Sequence, residues 1–201
     1  MQKGYLKPLA FALVIGSAVA AQADVIFNSF GITNEFDPNV GWSVSQSQSM
    51  GVKFAVNFGS YTFSEIDVAL FAVGNDGSTI VNLCADNAGS PGSVIESFSV
   101  VAAPTGTKYF LNSVLNPTLT LGNYFLTLTP GNSNAGSAWC KNGDGVTGPQ
   151  IFSTNGGASW NGFTDVYGGA TVHGNLVPEP ATFAILGLGA LSLVRRRRSV
   201  K

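Results

Sequence analysis

The sequence predicts an all-β fold, a single antiparallel β-sandwich of jelly-roll type flanked by an N-terminal signal helix and a C-terminal transmembrane helix. Three observations predict it. Apolar and polar residues alternate with a period of two through the middle of the chain, and no stretch there has the i, i+3, i+4, i+7 spacing of an amphipathic helix. Short Gly/Asn/Ser turns recur about every ten residues, which gives roughly eight to ten strands around one core.

Residues 1–23 predict an export signal peptide. Two lysines precede a short apolar run over residues 9–20, and small residues at Ala21 and Ala23 occupy the −3 and −1 positions of a cleavage site. Twelve apolar residues extend only about 18 Å as a helix, too short for a permanent membrane span. We therefore expect a mature chain that begins near Asp24. A buried N-terminal helix is the alternative.

The predicted sandwich covers residues 24–174. Gly122-Asn123, between two alternating runs, predicts a tight turn that needs positive φ, and clusters at 74–77, 142–145 and 155–157 predict further turns. The alternating positions that we expect to face the core are Val52, Phe54, Val56, Phe58, Ile66, Val68, Leu70, Ala72, Leu119, Leu121, Tyr124, Leu126 and Leu128.

The charge of this middle part argues against nucleic acid as a partner. The whole chain has a net charge of −1, but most of its cations lie at the two ends. Between residues 24 and 177 three lysines stand against ten acids, a net charge of about −7, whereas a phosphate-binding surface needs the opposite sign. Only 10% of the residues are charged and 25 are glycine, a composition common in exported β-proteins.

The C-terminal end has three parts in succession. A linker over residues 175–180 contains Pro178-Glu179-Pro180, and the prolines predict an extended, exposed backbone there. The apolar segment 181–194 extends about 21 Å as a helix, which spans a bilayer if arginines snorkel and the membrane thins locally. The basic tail 195–201 begins with four residues that predict stop-transfer and a cytoplasmic C-terminus: Arg195, Arg196, Arg197 and Arg198.

This ending resembles the PEP-CTERM sorting domain over about residues 177–198. The resemblance implies a protein of a Gram-negative, exopolysaccharide-producing bacterium that is exported through the inner membrane and held there by a transient helix. It implies that a membrane-embedded exosortase with a cysteine nucleophile recognises Pro178, Glu179 and Pro180, cuts near them and passes the protein outward. The destination is then the cell surface or the extracellular matrix. A plain anchor without processing is the alternative.

The middle of the chain resembles a group of exported β-sandwich domains that precede interchangeable C-terminal anchors. The residues that carry this resemblance are Val81–Asp86, as a strand with an acidic end, Asn87–Gly92, as a Gly-x-Pro-Gly loop, and residues 119–128. The resemblance implies the sandwich fold.

Cys84 and Cys140 are the two cysteines of the chain. An even number in an oxidising compartment predicts a disulfide, and a closed loop of about 57 residues would stabilise the fold by on the order of 4 kcal/mol. Two buried thiols are the alternative. Because the single histidine, His173, lies near the end of the domain, we expect neither a cysteine nucleophile nor a metal site of the zinc type.

Glu65 and Asp67 are the best candidates in the sequence for a catalytic pair of carboxylates. They share one face of a predicted strand about 6.8 Å apart, within the spacing of an inverting glycosidase. Solvent-exposed polar alternation is the simpler interpretation. The sequence has no Gly-x-Ser-x-Gly elbow and no Ser/His/Asp arrangement. We therefore expect no enzyme, with an extracellular hydrolase as a distant alternative.

Two kinds of ligand are candidates for this domain. Trp42, Trp139 and Trp160 lie in loop-rich segments and could stack on sugar rings; packing in the core or at the ends of the sandwich is the alternative. Acidic turns at Asp37, Asp76 and Asp144 could offer oxygen ligands to Ca²⁺, with Asx turns as the alternative. No other cofactor is expected.

The sequence thus predicts an exported structural or adhesive component of a polysaccharide matrix. Its expected partners are the exosortase and, transiently, the membrane, with exopolysaccharide as a candidate. A carbohydrate-binding module of lectin type is the alternative function.

Overall fold

Two antiparallel β-sheets make up the part of the chain that the computed structural model describes, residues 23–74 and 76–178. The all-β prediction is confirmed, since these residues form thirteen strands and no α-helix. The signal helix, residues 181–194 and the arginine tail lie outside the described residues.

Sheet A has seven strands and sheet B has six. The strands of sheet A are β1 (Asp24–Asn28), β2 (Phe36–Ser45), β4 (Tyr61–Ala72), β7 (Thr107–Asn112), β8 (Thr118–Leu119), β10 (Gly136–Asn142) and β13 (Ala170–Leu176). Those of sheet B are β3 (Ser49–Val56), β5 (Ser78–Asn87), β6 (Ser90–Val101), β9 (Gly122–Pro130), β11 (Thr147–Ser153) and β12 (Asn161–Val166).

Sheet A is organised around the long strand β4. One edge of β4 pairs first with β13 and then with β10, and the other edge pairs with β8 and β7. Strand β1 lies outside β13, with Asp24 opposite Gly174, and β2 lies outside β10. In sheet B the order is β12-β11-β3-β9-β5-β6. Both the first and the last strand of the domain therefore lie side by side in sheet A.

The core lies between the sheets and is built from alternate residues of their strands. Most of the apolar positions expected to face it are buried there. Phe58 and Leu121 are exceptions, with 71% and 64% of their surface exposed. Their prediction is wrong because β3 ends at Val56 and β8 ends at Leu119, so the alternation does not continue to these positions.

The predicted hairpin turn at Gly122-Asn123 is also wrong. Strand β8 pairs with β4 in sheet A, whereas β9 pairs with β3 and β5 in sheet B. The chain therefore crosses between the sheets at residues 120–121. The Tyr124 hydroxyl fixes this crossing, since it lies 3.0 Å from both the Thr120 amide nitrogen and the Thr120 carbonyl oxygen.

A true two-residue hairpin joins β5 to β6. Ala88 and Gly89 both have positive φ, 52° and 90°, which is the conformation of a type I′ turn. The Asp86 carboxylate accepts a hydrogen bond of 2.8 Å from the Gly89 amide. The loop expected over Asn87–Gly92 is therefore only two residues long, and Ser90 already belongs to β6.

The predicted disulfide is wrong: Cys84 and Cys140 are both free and buried. Cys84 lies on the outer face of sheet B, where its sulfur is 3.8 Å from the Thr127 hydroxyl. Cys140 lies on the outer face of sheet A, in a small cluster with Phe30 and Ala69. Packed sheets are about 10 Å apart, whereas bridged cysteines need Cα atoms within about 7 Å. Thiols on opposite outer faces cannot meet.

Burial also makes both thiols poor nucleophiles. It raises the pKa of the Cys140 thiol to about 12 and raises that of Cys84 above its usual value. Both thiols are therefore protonated at neutral pH, and a thiol reacts as its thiolate.

Candidate functional site

A groove lined by aromatic side chains opens where the edge strands β2 and β12 of the two sheets face each other. Its volume is about 320 Å³. We call it the aromatic groove; its lining residues are Trp42, Gln48, Met50, Phe152 and Phe163. Because these residues come from β2, β3, β11, β12 and the β2–β3 turn, both sheets contribute to it.

The Trp42 indole is fixed in this groove by a hydrogen bond and an aromatic contact. Its Nε1 donates to the Val166 carbonyl oxygen at 2.9 Å, and the buried Gln150 amide donates to the same oxygen at 3.0 Å. The Phe163 ring meets Trp42 edge to face with centroids 5.0 Å apart, and it meets Phe152 in the same way at 5.8 Å. The groove is thus preformed, as small-molecule sites usually are.

A cation covers part of the Trp42 ring. The Lys141 ammonium lies 4.1 Å from the ring centroid and 3.6 Å from an oxygen of Asp165. One face of the indole is therefore already occupied by this ammonium. The Gln48 amide is the polar side chain among the lining residues.

The three tryptophans predicted to stack on sugars do not form one site. Trp139 is fully buried in the core, and its Nε1 donates to the Gly169 carbonyl oxygen at 2.9 Å, so the prediction of a sugar contact there is wrong. Trp160 is half-buried just before β12 and does not line the groove. Only Trp42 does. Sequence reasoning missed Phe152 and Phe163, because β11 and β12 are too short to show a clear alternation.

Glu65, Asp67 and His173 meet on the outer face of sheet A; we call them the carboxylate–histidine cluster. The β4–β13 pairing places His173 opposite Glu65, and one ligand-type atom of each residue lies within 4.8 Å of the others. The His173 Nε2 and the Asp67 Oδ2 are 3.3 Å apart. The expectation of an exposed Asp67 is wrong, since it is only 7% exposed.

The two carboxylates of the cluster oppose each other electrostatically. Burial raises the pKa of Glu65, the neighbouring Asp67 carboxylate raises it further, and His173 lowers it. The two carboxylates are also closer than the about 6.5–9.5 Å that an inverting glycosidase leaves for its water.

The three aspartates considered as calcium ligands each accept a hydrogen bond from a backbone N–H at 2.9 Å. The pairs are Asp37 with Asn39, Asp76 with Ser78 and Asp144 with Thr33. The Asn132 amide lowers the pKa of Asp76, and the Thr33 hydroxyl lowers that of Asp144. Across residues 23–74 and 76–178 the carboxylate–histidine cluster is the one group of three such ligands, and none of these aspartates belongs to it.

The C-terminal triplet follows the folded domain almost directly. Strand β13 continues to Leu176, so two residues expected in the linker are strand, and the Val177 amide donates to the Ser60 carbonyl oxygen at 2.8 Å. Pro178 is exposed, whereas Glu179 and Pro180 lie outside the described residues. In the part that is described, the structure offers no helix with the length and apolarity to cross a bilayer.

Residues 176–198 match the family described as the PEP-CTERM protein-sorting motif. The chain carries a PEP-CTERM sorting motif. This confirms the resemblance seen in residues 177–198 and adds Leu176 at its start. The PEP-CTERM motif identifies an exported protein with a C-terminal sorting tail that an exosortase processes.

Comparison of folds gives two weak likenesses, both to mutants of CBM29-2, a family 29 carbohydrate-binding module. One is 15% identical with a TM-score of 0.31, covering 68% of this chain and 94% of that one. The other is 17% identical with a TM-score of 0.30, covering 61% and 89%. TM-scores this low establish no common topology. No curated protein matches the sequence.

Proposed function

We propose that this is a cell-surface or extracellular-matrix protein, associated with exopolysaccharide, in which the PEP-CTERM motif delivers a structural or adhesive β-sandwich. The observation that carries the proposal is the continuity between β13 and the motif: Val177 is still hydrogen-bonded to Ser60 and Pro178 is exposed. A processing enzyme therefore meets the triplet at the base of a folded domain. The role is non-catalytic.

The strand order supports a jelly roll as the delivered domain. Four neighbouring strands in each sheet have the order of a jelly roll, β2-β10-β4-β7 in sheet A and β3-β9-β5-β6 in sheet B. Two interleaved Greek keys produce this order. Such a domain folds around one core and leaves its loops free to vary.

The sorting proposal is tested by replacing Pro178, Glu179 and Pro180 together by alanine. We expect wild-type protein from the culture medium or cell surface to lack residues 181–201, and the variant to retain them and stay in the inner membrane. Intact-mass analysis of both fractions measures this. Pro104→Ala, at an exposed proline of the sandwich, is the control and should be processed normally. Wild-type protein that keeps residues 181–201 at its final location contradicts the proposal.

The aromatic groove favours carbohydrate binding as a second candidate function. Three aromatic rings and one amide in a preformed groove match what pyranose rings need, an apolar face and a hydrogen-bonding edge. Phe163→Leu keeps much of the apolar volume but removes a ring, so we expect it to weaken binding of the host exopolysaccharide at least about tenfold.

Isothermal titration calorimetry measures that loss. Phe110→Leu is the matched control, because Phe110 is exposed on sheet A and far from the groove in the fold. Equal affinities for Phe163→Leu and the wild-type protein would remove the groove as the binding site. Absence of heat with the folded wild-type protein would remove sugar binding itself.

A further inference from the structure

The carboxylate–histidine cluster is assembled by the pairing of two distant strands. Asp67 and His173 are 106 residues apart in sequence, yet the β4–β13 register brings their side chains to 3.3 Å. Glu65 lies directly opposite His173 on the same outer face. Three side chains of the types that bind metals are therefore held by backbone pairing in the middle of a sheet, and not by a loop.

One oxygen of this cluster has no partner in the protein. Asp67 is only 7% exposed to solvent. Its Oδ2 lies beside His173, whereas its Oδ1 is inaccessible to solvent and accepts no hydrogen bond. Buried carboxylate oxygens are nearly always paired, because their desolvation is otherwise uncompensated. An unpaired buried carboxylate oxygen beside a second carboxylate points to a bound cation.

The protein does not supply that cation from a lysine. The sandwich has three lysines, and each is engaged elsewhere. Lys53 pairs with Asp86, Lys141 pairs with Asp165, and Lys108 donates to the Asn34 carbonyl oxygen while lying 4.0 Å above the Phe30 ring.

We propose that Glu65, Asp67 and His173 bind one divalent transition-metal ion of the zinc class on the outer face of sheet A. An imidazole nitrogen with two carboxylate oxygens is a donor set that favours such ions over Mg²⁺ and Ca²⁺, which prefer oxygen alone. Ligands at about 2.0–2.1 Å from a tetrahedral ion lie roughly 3.3 Å from each other, the separation of His173 Nε2 and Asp67 Oδ2. Bidentate binding by Asp67 would give the unpaired Oδ1 its partner as well. Three protein ligands leave the fourth position to water.

The ion would join the last strand to the central strand of sheet A. His173 lies on β13 three residues before the PEP-CTERM motif begins at residue 176. Metal binding therefore holds in place the strand that leads into the sorting tail, and it opposes peeling of β13 from β4.

The test uses the full chain in detergent micelles, produced without a histidine tag and stripped with EDTA. Titration with ZnCl₂ is expected to show one ion per chain, and a hundredfold excess over Kd should raise Tm by about 5–10 °C. Co²⁺ in its place should give the visible absorption of a nitrogen- and oxygen-bound ion. His173→Gln and Glu65→Gln should each weaken Zn²⁺ binding at least about tenfold. Asp144→Asn, an acid-to-amide change in an exposed turn, should leave it unchanged.

Three results would overturn the proposal. Folded wild-type protein, verified by circular dichroism, that binds no stoichiometric Zn²⁺ would overturn it, as would His173→Gln protein that binds Zn²⁺ as the wild-type protein does. Saturation by Ca²⁺ with no response to Zn²⁺ would overturn the assignment to a transition metal. These results are independent of sorting and of sugar binding, which are measured by mass and by the groove variants.

Discussion

Replacing Trp139 by alanine is expected to lower the free energy of unfolding by about 3–5 kcal/mol. The indole is fully buried between the sheets, and Nε1 donates to the Gly169 carbonyl oxygen. Gly168 has no space for a Cβ, because that atom would overlap the indole ring. Alanine at position 139 would therefore leave both a cavity between the sheets and an unpaired Gly169 carbonyl oxygen. Thermal unfolding should show Tm lowered by roughly 6–20 °C.

Two further variants separate these causes. Trp139→Phe fills most of the volume but leaves the Gly169 oxygen unpaired, so we expect a smaller loss of about 1–3 kcal/mol. Trp160→Ala removes the same side chain from a half-buried position and should cost less than either core change. If Trp139→Ala unfolded at the wild-type temperature, the assignment of Trp139 to the core would be contradicted.

Replacing Glu96 by alanine is expected to cost about 2–4 kcal/mol. Glu96 lies on β6, is 5% exposed, and receives three hydrogen bonds from the connection between β7 and β8. The donors are the Ser113 hydroxyl at 2.6 Å, the Val114 amide at 2.7 Å and the Leu115 amide at 3.2 Å. Alanine leaves these donors without their acceptor and removes the hydrogen bonds that hold this sheet A connection against the edge strand β6 of sheet B.

Urea unfolding measures how much unfolding free energy Glu96→Ala loses, and hydrogen exchange shows which part of the chain loses protection. In Glu96→Ala the amides of Val114 and Leu115 should exchange much faster, while those of the core strand β9 should accelerate only by the factor that the loss of global stability sets. Glu96→Gln keeps an acceptor oxygen and should retain part of the protection. Unchanged exchange at Val114 in Glu96→Ala would show that the carboxylate does not hold this connection.

Periodicity predicted the core where a strand stays in one sheet. Val52, Phe54 and Val56 are neighbours on the inner face of β3, so alternation alone finds them. Periodicity failed at residues 120–123, because two alternating runs look the same whether they form a hairpin or belong to different sheets. The disulfide predicted from the even number of cysteines failed because that number does not show on which sheet Cys84 and Cys140 lie.

The aromatic groove and the carboxylate–histidine cluster could not be predicted from local sequence patterns, because their residues meet only in the folded chain. Trp42 was predicted as a sugar-binding residue, but the groove also requires Phe152 and Phe163, whose strands are seven and six residues long. Asp67 and His173 meet only through strand pairing across 106 residues. The sorting tail is the opposite case, since its triplet, apolar segment and arginines are consecutive in sequence and could be identified there.

The pairing of Asp24 with Gly174 has a consequence for how the domain is oriented. Strands β1 and β13 are antiparallel neighbours about 4.8 Å apart, so the chain enters and leaves the sandwich at the same pole. The polypeptide before Asp24 and that after Val177 thus emerge side by side. With the signal peptide and the apolar segment 181–194 that the sequence predicts both in the membrane, we expect this pole to face the bilayer and the opposite pole to point outward.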